Sequence, residues 1–163
     1  MIALTLLDIR TLTANLFVQE MFDKFYMTDA EITTFATYRI EGKRSKAYYS
    51  HDELEALGGQ EYCLWSEIKP MAYDIIKGKK LPVRFRITFQ LPREGLQTLI
   101  ERNGIQIPLE QVGGVCLNIK YEANQLTCVT GVSYNTFVMD KTLDQMWDDN
   151  VKNFFRQNKI SFQ

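Results

Sequence analysis

Alternation of apolar and polar positions is clearest at 83–91, where Val83, Phe85, Ile87, Phe89 and Leu91 share one face and Arg84, Arg86, Thr88 and Gln90 the other. A period of two with one apolar face predicts a strand with a core side and a wet side. Residues Ile2 to Leu7 read as another strand, and Asp8 stands where it can cap a helix striped by Ile9, Leu12, Leu16 and Phe17. The alternation of Ile32, Thr34, Ala36, Tyr38 and Ile40 with Thr33, Phe35, Thr37 and Arg39 predicts a strand. It ends at Glu41-Gly42-Lys43 and returns over Lys46–Tyr49, a hairpin with a basic turn. Ser50-x-x-Glu53 is a capping box that opens a short helix closed by Gly58-Gly59. Ser66 is the expected cap of the next helix, which carries Ile68, Met71, Ala72, Ile75 and Ile76, with Pro70 in its first turn and Gly78 as its stop.

The second half follows the same order. Pro92 starts a helix striped by Leu96, Leu99 and Ile100 and stopped by Asn103-Gly104. A hairpin runs from Val115 to Ser133 and turns at Glu122–Gln125, and this register sets Cys116 opposite Gly131. Asp140 or Thr142 caps a last helix bearing Leu143, Met146, Trp147, Val151, Phe154 and Phe155, before the tail Ile160-Ser-Phe162. The chain therefore reads as a strand-helix-hairpin-helix unit occurring twice. Its strand-to-helix junctions Leu7-Asp8 and Leu91-Pro92 lie 91 − 7 = 84 positions apart, and Trp65 and Trp147 lie 147 − 65 = 82 apart. The expected fold is α+β: a mostly antiparallel sheet with helices on one side, a single domain over 1–163 with pseudo-two-fold halves 1–80 and 81–163, and both tryptophans buried.

Composition narrows the classes. With 163 residues and 45% hydrophobic content the chain has material for a core, which excludes intrinsic disorder. Nineteen basic against twenty acidic residues give a net charge of −1, so affinity for nucleic acid or membranes has to come from a local patch. Cys63, Cys116 and Cys128 form no C-x-x-C pair, and no apolar run approaches the ~20 residues of a membrane span. The opening Met1–Leu7 lacks a basic leader, and the expected location is cytoplasmic.

Chemistry is sparse. The one histidine lies in Ser50-His51-Asp52, but three consecutive side chains do not converge as a triad, and Ser50 is committed to its cap. One His and three scattered Cys do not make a tetrahedral metal site, and Asp140, Asp144, Asp148 and Asp149 are spaced as a solvated helix face. Gly113-Gly114 lacks the Lys-Ser/Thr of a phosphate loop and marks a strand entry or bulge. No catalytic residue, metal or cofactor is assigned.

Charge placement is the strongest signal. No acidic residue occurs from Ile75 to Arg93, yet Lys77, Lys79, Lys80, Arg84, Arg86 and Arg93 all do. The turn near Gly42 adds Arg39, Lys43, Arg44 and Lys46. If the two stretches adjoin, they make a basic surface, a candidate anion or nucleic-acid patch suited to phosphate contacts or an acidic partner, the alternative being a solubilising, edge-blunting set of charges. Tyr48, Tyr49, Tyr62 and Trp65 lie close in sequence and are candidate stacking or interface aromatics.

The opening Ile-Ala-Leu-Thr-Leu-Leu-Asp8, the run Ile32-Thr-Thr-Phe35, Trp65-Ser66, and Lys69-Pro70 leading to Ile76-Lys-Gly-Lys79 resemble an uncharacterised family of short Firmicutes proteins, a domain of unknown function. That resemblance covers nearly the whole chain and implies no activity or ligand. In fold order alone, the doubled unit is similar to one domain of a DNA sliding clamp. The reading that fits is a non-catalytic binding or scaffold module that self-associates as a homodimer and recruits a protein partner. The alternative is a clamp-like, nucleic-acid-associated protein using the basic stretches.

Overall fold

The face carrying Phe85, Ile87 and Phe89 is shielded from water in the computed structural model, which describes residues 1–163. Those side chains belong to one of six strands: β1 (Ala3–Leu6), β2 (Tyr26–Thr33), β3 (Thr37–Glu41), β4 (Arg84–Gln90), β5 (Val112–Glu122) and β6 (Gln125–Tyr134). They form a single sheet in the order β1-β6-β5-β4-β2-β3 with every neighbouring pair antiparallel. Register puts Ala30, Ile87, Ile119 and Cys128 in one transverse row and Ile32, Phe85, Tyr121 and Leu126 in the next. All eight are buried, because a period of two sends the whole row to one face.

Helices α1 (Ile9–Phe17), α3 (Trp65–Ile76), α4 (Arg93–Arg102) and α5 (Thr142–Gln157) add their apolar stripes to that same face, and a one-turn helix α2 (His51–Ala56) lies at the periphery. Strand and helix side chains, joined by Phe22, Ile105 and Ile160 from the connecting segments, make one cluster of 30 buried residues. The sheet's other face carries no helix stripe. Trp65 and Trp147 are both buried, and each indole N–H finds a carbonyl: Trp65 Nε1 donates to Leu16 O at 2.6 Å and Trp147 Nε1 to Cys116 O at 2.8 Å.

Several local expectations hold. Asp8 accepts from Thr11 N, and the Ser50–Glu53 capping box is reciprocal. Asp140 accepts from the N–H and hydroxyl of Thr142, Cys116 faces Gly131, and a bulge falls at Val112/Gly114. The hairpin of 115–133 turns on Ala123 and Asn124, both at positive φ, as a two-residue turn requires.

Other expectations are corrected. The predicted strand over 32–40 is instead a hairpin bent at its middle: β2 begins at Tyr26, residues 34–36 form the turn, and β3 returns over 37–41. No Gly or Asn flags this turn. It is closed by Thr34 N donating to Ala36 O at 2.9 Å and by a Thr33–Thr37 hydroxyl contact at 2.9 Å. Lys46–Tyr48 is a short 3-10 helix where a returning strand was expected. α3 starts at Trp65, its capping carboxylate is Glu67, which accepts from Leu64 N, and Pro70 lies beyond its first turn. The doubled unit does not reappear in the strand order. β4 pairs with β5 of its own half, whereas β1 lies beside β6 of the other half and does not touch β2.

The chain between β3 and α3 is laid along the bulged start of β2. Gly42 N donates to Thr28 O at 3.0 Å, Cys63 N to Gly42 O at 2.8 Å, and Met27 N to Cys63 O at 2.9 Å. A Cβ on Gly42 would stand 1.5 Å from Met27 O, so only glycine fits. At the other end of the sheet, Gln163 exchanges backbone hydrogen bonds with Thr5 at 2.8 and 2.9 Å and covers the outer edge of β1.

Candidate functional site

The basic residues separate into three settings. On the open sheet face, Arg86 pairs with Asp29 at 2.8 Å and Arg39 with Glu31 at 2.9 Å. Arg84 stands opposite Glu122, which Lys120 also holds at 3.0 Å. Acidic groups from β2 and β5 thus lace the Arg84/Arg86 face into a mixed-charge ladder. Sequence reasoning missed this because Asp29, Glu31 and Glu122 lie more than thirty positions from β4 and meet it only through strand pairing.

Arg44 is in a second setting. Its side chain is only 3% exposed and makes a two-pronged pair with Glu67, through Nη2–Oε2 at 2.7 Å and Nη1–Oε1 at 3.0 Å. Nη1 also donates to Tyr49 Oη at 3.1 Å and Nη2 to Gln60 Oε1 at 2.9 Å, while Nε is buried without a partner. The hydrogen bonds from Arg44 hold the Glu67 carboxyl below the usual carboxylate range. This guanidinium is a tie between the 42–64 segment and α3, and it has no free donor face to offer an external phosphate.

The expected aromatic set is likewise divided. Trp65 is core, Tyr49 serves Arg44, Tyr62 packs on Tyr26 at 5.8 Å, and Tyr48 alone of the four is exposed. His51 is exposed and contacts Glu55 at 3.1 Å.

The remaining lysines fall at the two ends of β3. Lys43 and Lys46 line a hollow of about 460 Å³ with Gln60 and Glu61. Lys79 and Lys80 lie with Phe35 near the β2–β3 turn. From Thr37 to Lys43 is six residues, roughly 20 Å of extended chain, so Lys43 and Lys46 stand apart from Lys79 and Lys80, and the two stretches meet only on the open sheet face, where Arg39 and Arg86 flank Glu31 in one row.

What the fold does assemble is an apolar groove. Between α1 and the end of α3 lies a depression of about 510 Å³ lined by Phe17, Val18, Tyr73, Ile76 and Leu81. It continues past Gly78 and Leu81 into a second hollow of about 550 Å³ formed by Phe35, Ile75 and Val83. Val18 is 61%, Leu81 77% and Phe35 93% exposed. Five of the eleven large apolar side chains exposed on the protein, Val18, Phe35, Tyr73, Leu81 and Val83, line this one groove. Apolar patches of this kind on a protein surface mark interaction sites. Val83 was expected on the core face of its strand, but β4 begins at Arg84 and leaves Val83 beyond the sheet.

No acidic residue lines either hollow, whereas Arg10, Lys77, Lys79 and Lys80 do. Lys77 is paired with Asp74 at 3.0 Å, and the other three cations make no ion pair. The acid-free stretch from Ile75 was visible in the sequence. Its juxtaposition with Val18 of α1 and Phe35 of the β2–β3 turn was not.

Fold and site define an α+β protein with one antiparallel sheet, helices on one face and an open apolar groove edged by cations. The chain belongs to a family of unknown function, DUF5721, whose model matches residues 15–163. No curated protein and no solved structure matches it, and the likeness to a clamp domain rests on element order alone. No helix is long and apolar enough to cross a membrane.

Proposed function

We propose that the protein is a binding module that captures another polypeptide in the groove between α1, the end of α3 and the 77–83 segment. The observation that carries this reading is the concentration of solvent-exposed Val18, Phe35, Tyr73, Leu81 and Val83 along one continuous depression, where each forfeits burial it would gain under a partner. The nucleic-acid reading draws on less. Arg39, Arg44, Lys77 and Arg86 each already hold a carboxylate within 3.0 Å, and Lys43 and Lys46 lie away from Lys79 and Lys80.

The test is selection of binders from a random peptide library on the full chain, followed by measurement of each selected peptide against Leu81→Asp. Leu81 is 77% exposed, so the substitution leaves the core intact. Peptides that bind the native chain and lose at least tenfold on Leu81→Asp support the groove. Failure to select any peptide, or selected peptides indifferent to Leu81→Asp, refutes it.

A further inference from the structure

Resting on that reading, we infer that the natural occupant of the groove is an acidic amphipathic helix of a partner protein, with large apolar side chains on one face and Asp or Glu on its flanks. Three observations lead there. First, the floor is helical: Ile9, Thr13 and Phe17 on α1 and Tyr73 with Ile76 on α3 recur at the three- and four-residue spacing of two neighbouring helices. The furrow between such rows accepts the side-chain ridge of a third helix. Second, the depression is long and in two parts, about 510 and about 550 Å³ on either side of Gly78 and Leu81, which suits successive apolar anchors one or two turns apart. Third, the rim has one sign. In a chain of net charge −1, Arg10, Lys79 and Lys80 stand on the groove without an acidic partner, and no carboxylate lines it.

Unpaired cations around an apolar floor attract acidic flanks and repel basic ones, so the rim selects among helices that the floor alone would accept equally. A rim of this kind contributes to partner choice and to association rate, and its contribution fades with salt as the Debye length contracts. The apolar floor is insensitive to salt in that sense. The two parts of the site are therefore separable by experiment.

The probes are three fluorescein-labelled synthetic peptides of about four helical turns, read by fluorescence anisotropy on the full chain. One has apolar anchors at helical spacing with Glu between them, the second has the same anchors with Lys, and the third has the Glu composition with the anchors scrambled. The acidic amphipathic peptide is expected to bind at least tenfold more tightly than the other two. That preference is expected to shrink several-fold between low and physiological salt, to vanish in Lys79→Glu/Lys80→Glu, and to disappear with all binding in Leu81→Asp. Lys79 and Lys80 are exposed, so their reversal leaves the fold intact, which circular dichroism verifies.

Equal binding of the Glu and Lys peptides, both lost in Leu81→Asp, overturns the acidic partner and leaves the groove function standing. Equal binding of the scrambled peptide overturns the helix. Binding of the acidic peptide that survives Leu81→Asp overturns both readings, as does absence of binding by all three. A dimer in sedimentation that Leu81→Asp dissociates assigns the groove to a second copy of the chain and overturns the partner helix.

Discussion

Removing the Glu67 carboxylate is expected to cost more than removing the Arg44 guanidinium it holds, although the two groups make the same pair. The reason is unequal burial. Arg44 is 3% exposed at its side chain and Glu67 is 42% exposed. Glu67→Ala leaves a buried positive charge with only the neutral acceptors Tyr49, Gln60 and Cys63, and it also removes the cap on Leu64 N. Breaking a buried pair from one side costs about 3–5 kcal/mol, and access of water past the exposed side of Glu67 places this case near ~3 kcal/mol. Arg44→Met retains the buried volume and leaves a carboxylate that faces water and still accepts from Leu64 N at 2.7 Å. Its expected cost is ~1–1.5 kcal/mol, the net value of the hydrogen bonds lost. In Arg44→Met/Glu67→Ala no charge is stranded, so the double variant is expected at ~2 kcal/mol, well short of the sum.

Urea unfolding at pH 7 measures all three variants. For a chain of this length ~3 kcal/mol lowers Tm by roughly 6–12 °C. Because Arg44 holds the Glu67 carboxyl below its ordinary 4.5, the pair's contribution is fully present above that pH and is lost as pH falls through the lowered value. The gap between the native chain and Glu67→Ala should therefore narrow as pH falls below 4.5 and through the lowered value. An Arg44→Met cost equal to or above that of Glu67→Ala, or additivity of the two, refutes the reasoning.

Gly42→Ala is expected to cost more than about 4 kcal/mol or to prevent folding, since its Cβ would meet Met27 O at 1.5 Å; far-ultraviolet circular dichroism and urea midpoints report it. Burial pushes the Cys128 thiol up to about 12, so it should resist a thiol reagent at pH 8 until the chain unfolds, with rapid reaction of all three thiols in the native state as the refuting result. Since the unfolded thiol ionises near 9, that group's stabilising contribution is present below pH 9 and is lost as pH rises towards 12, a fall that unfolding midpoints at pH 8, 9 and 10 measure.

Where structure follows from neighbours in sequence, the sequence alone determined the outcome. The period of two in β4, the stripes of α1, α4 and α5, the Ser50–Glu53 box, the Asp140 cap and the Gly113–Gly114 bulge all depend on residues a few positions apart. The antiparallel α+β class followed from their order. Tertiary structure decided the rest. The 34–36 turn carries no glycine or asparagine, and the alternation of β2 and β3 runs through it without a break, so only pairing with β4 fixes where the chain reverses. Six basic side chains from Ile75 to Arg93 promised a patch, yet strand pairing sets Asp29 in an ion pair with Arg86 and places Glu122 opposite Arg84 and Glu31 opposite Arg86, so acidic groups interleave its sheet portion. Arg44 looked like a surface cation until Glu67, 23 positions on, drew it beneath the 42–64 segment. The groove joins α1, α3 and the β2–β3 turn from three separate stretches of chain. Charge neutralisation and concavity are both properties of residues distant in sequence and adjacent in space, and only the folded chain brings them together.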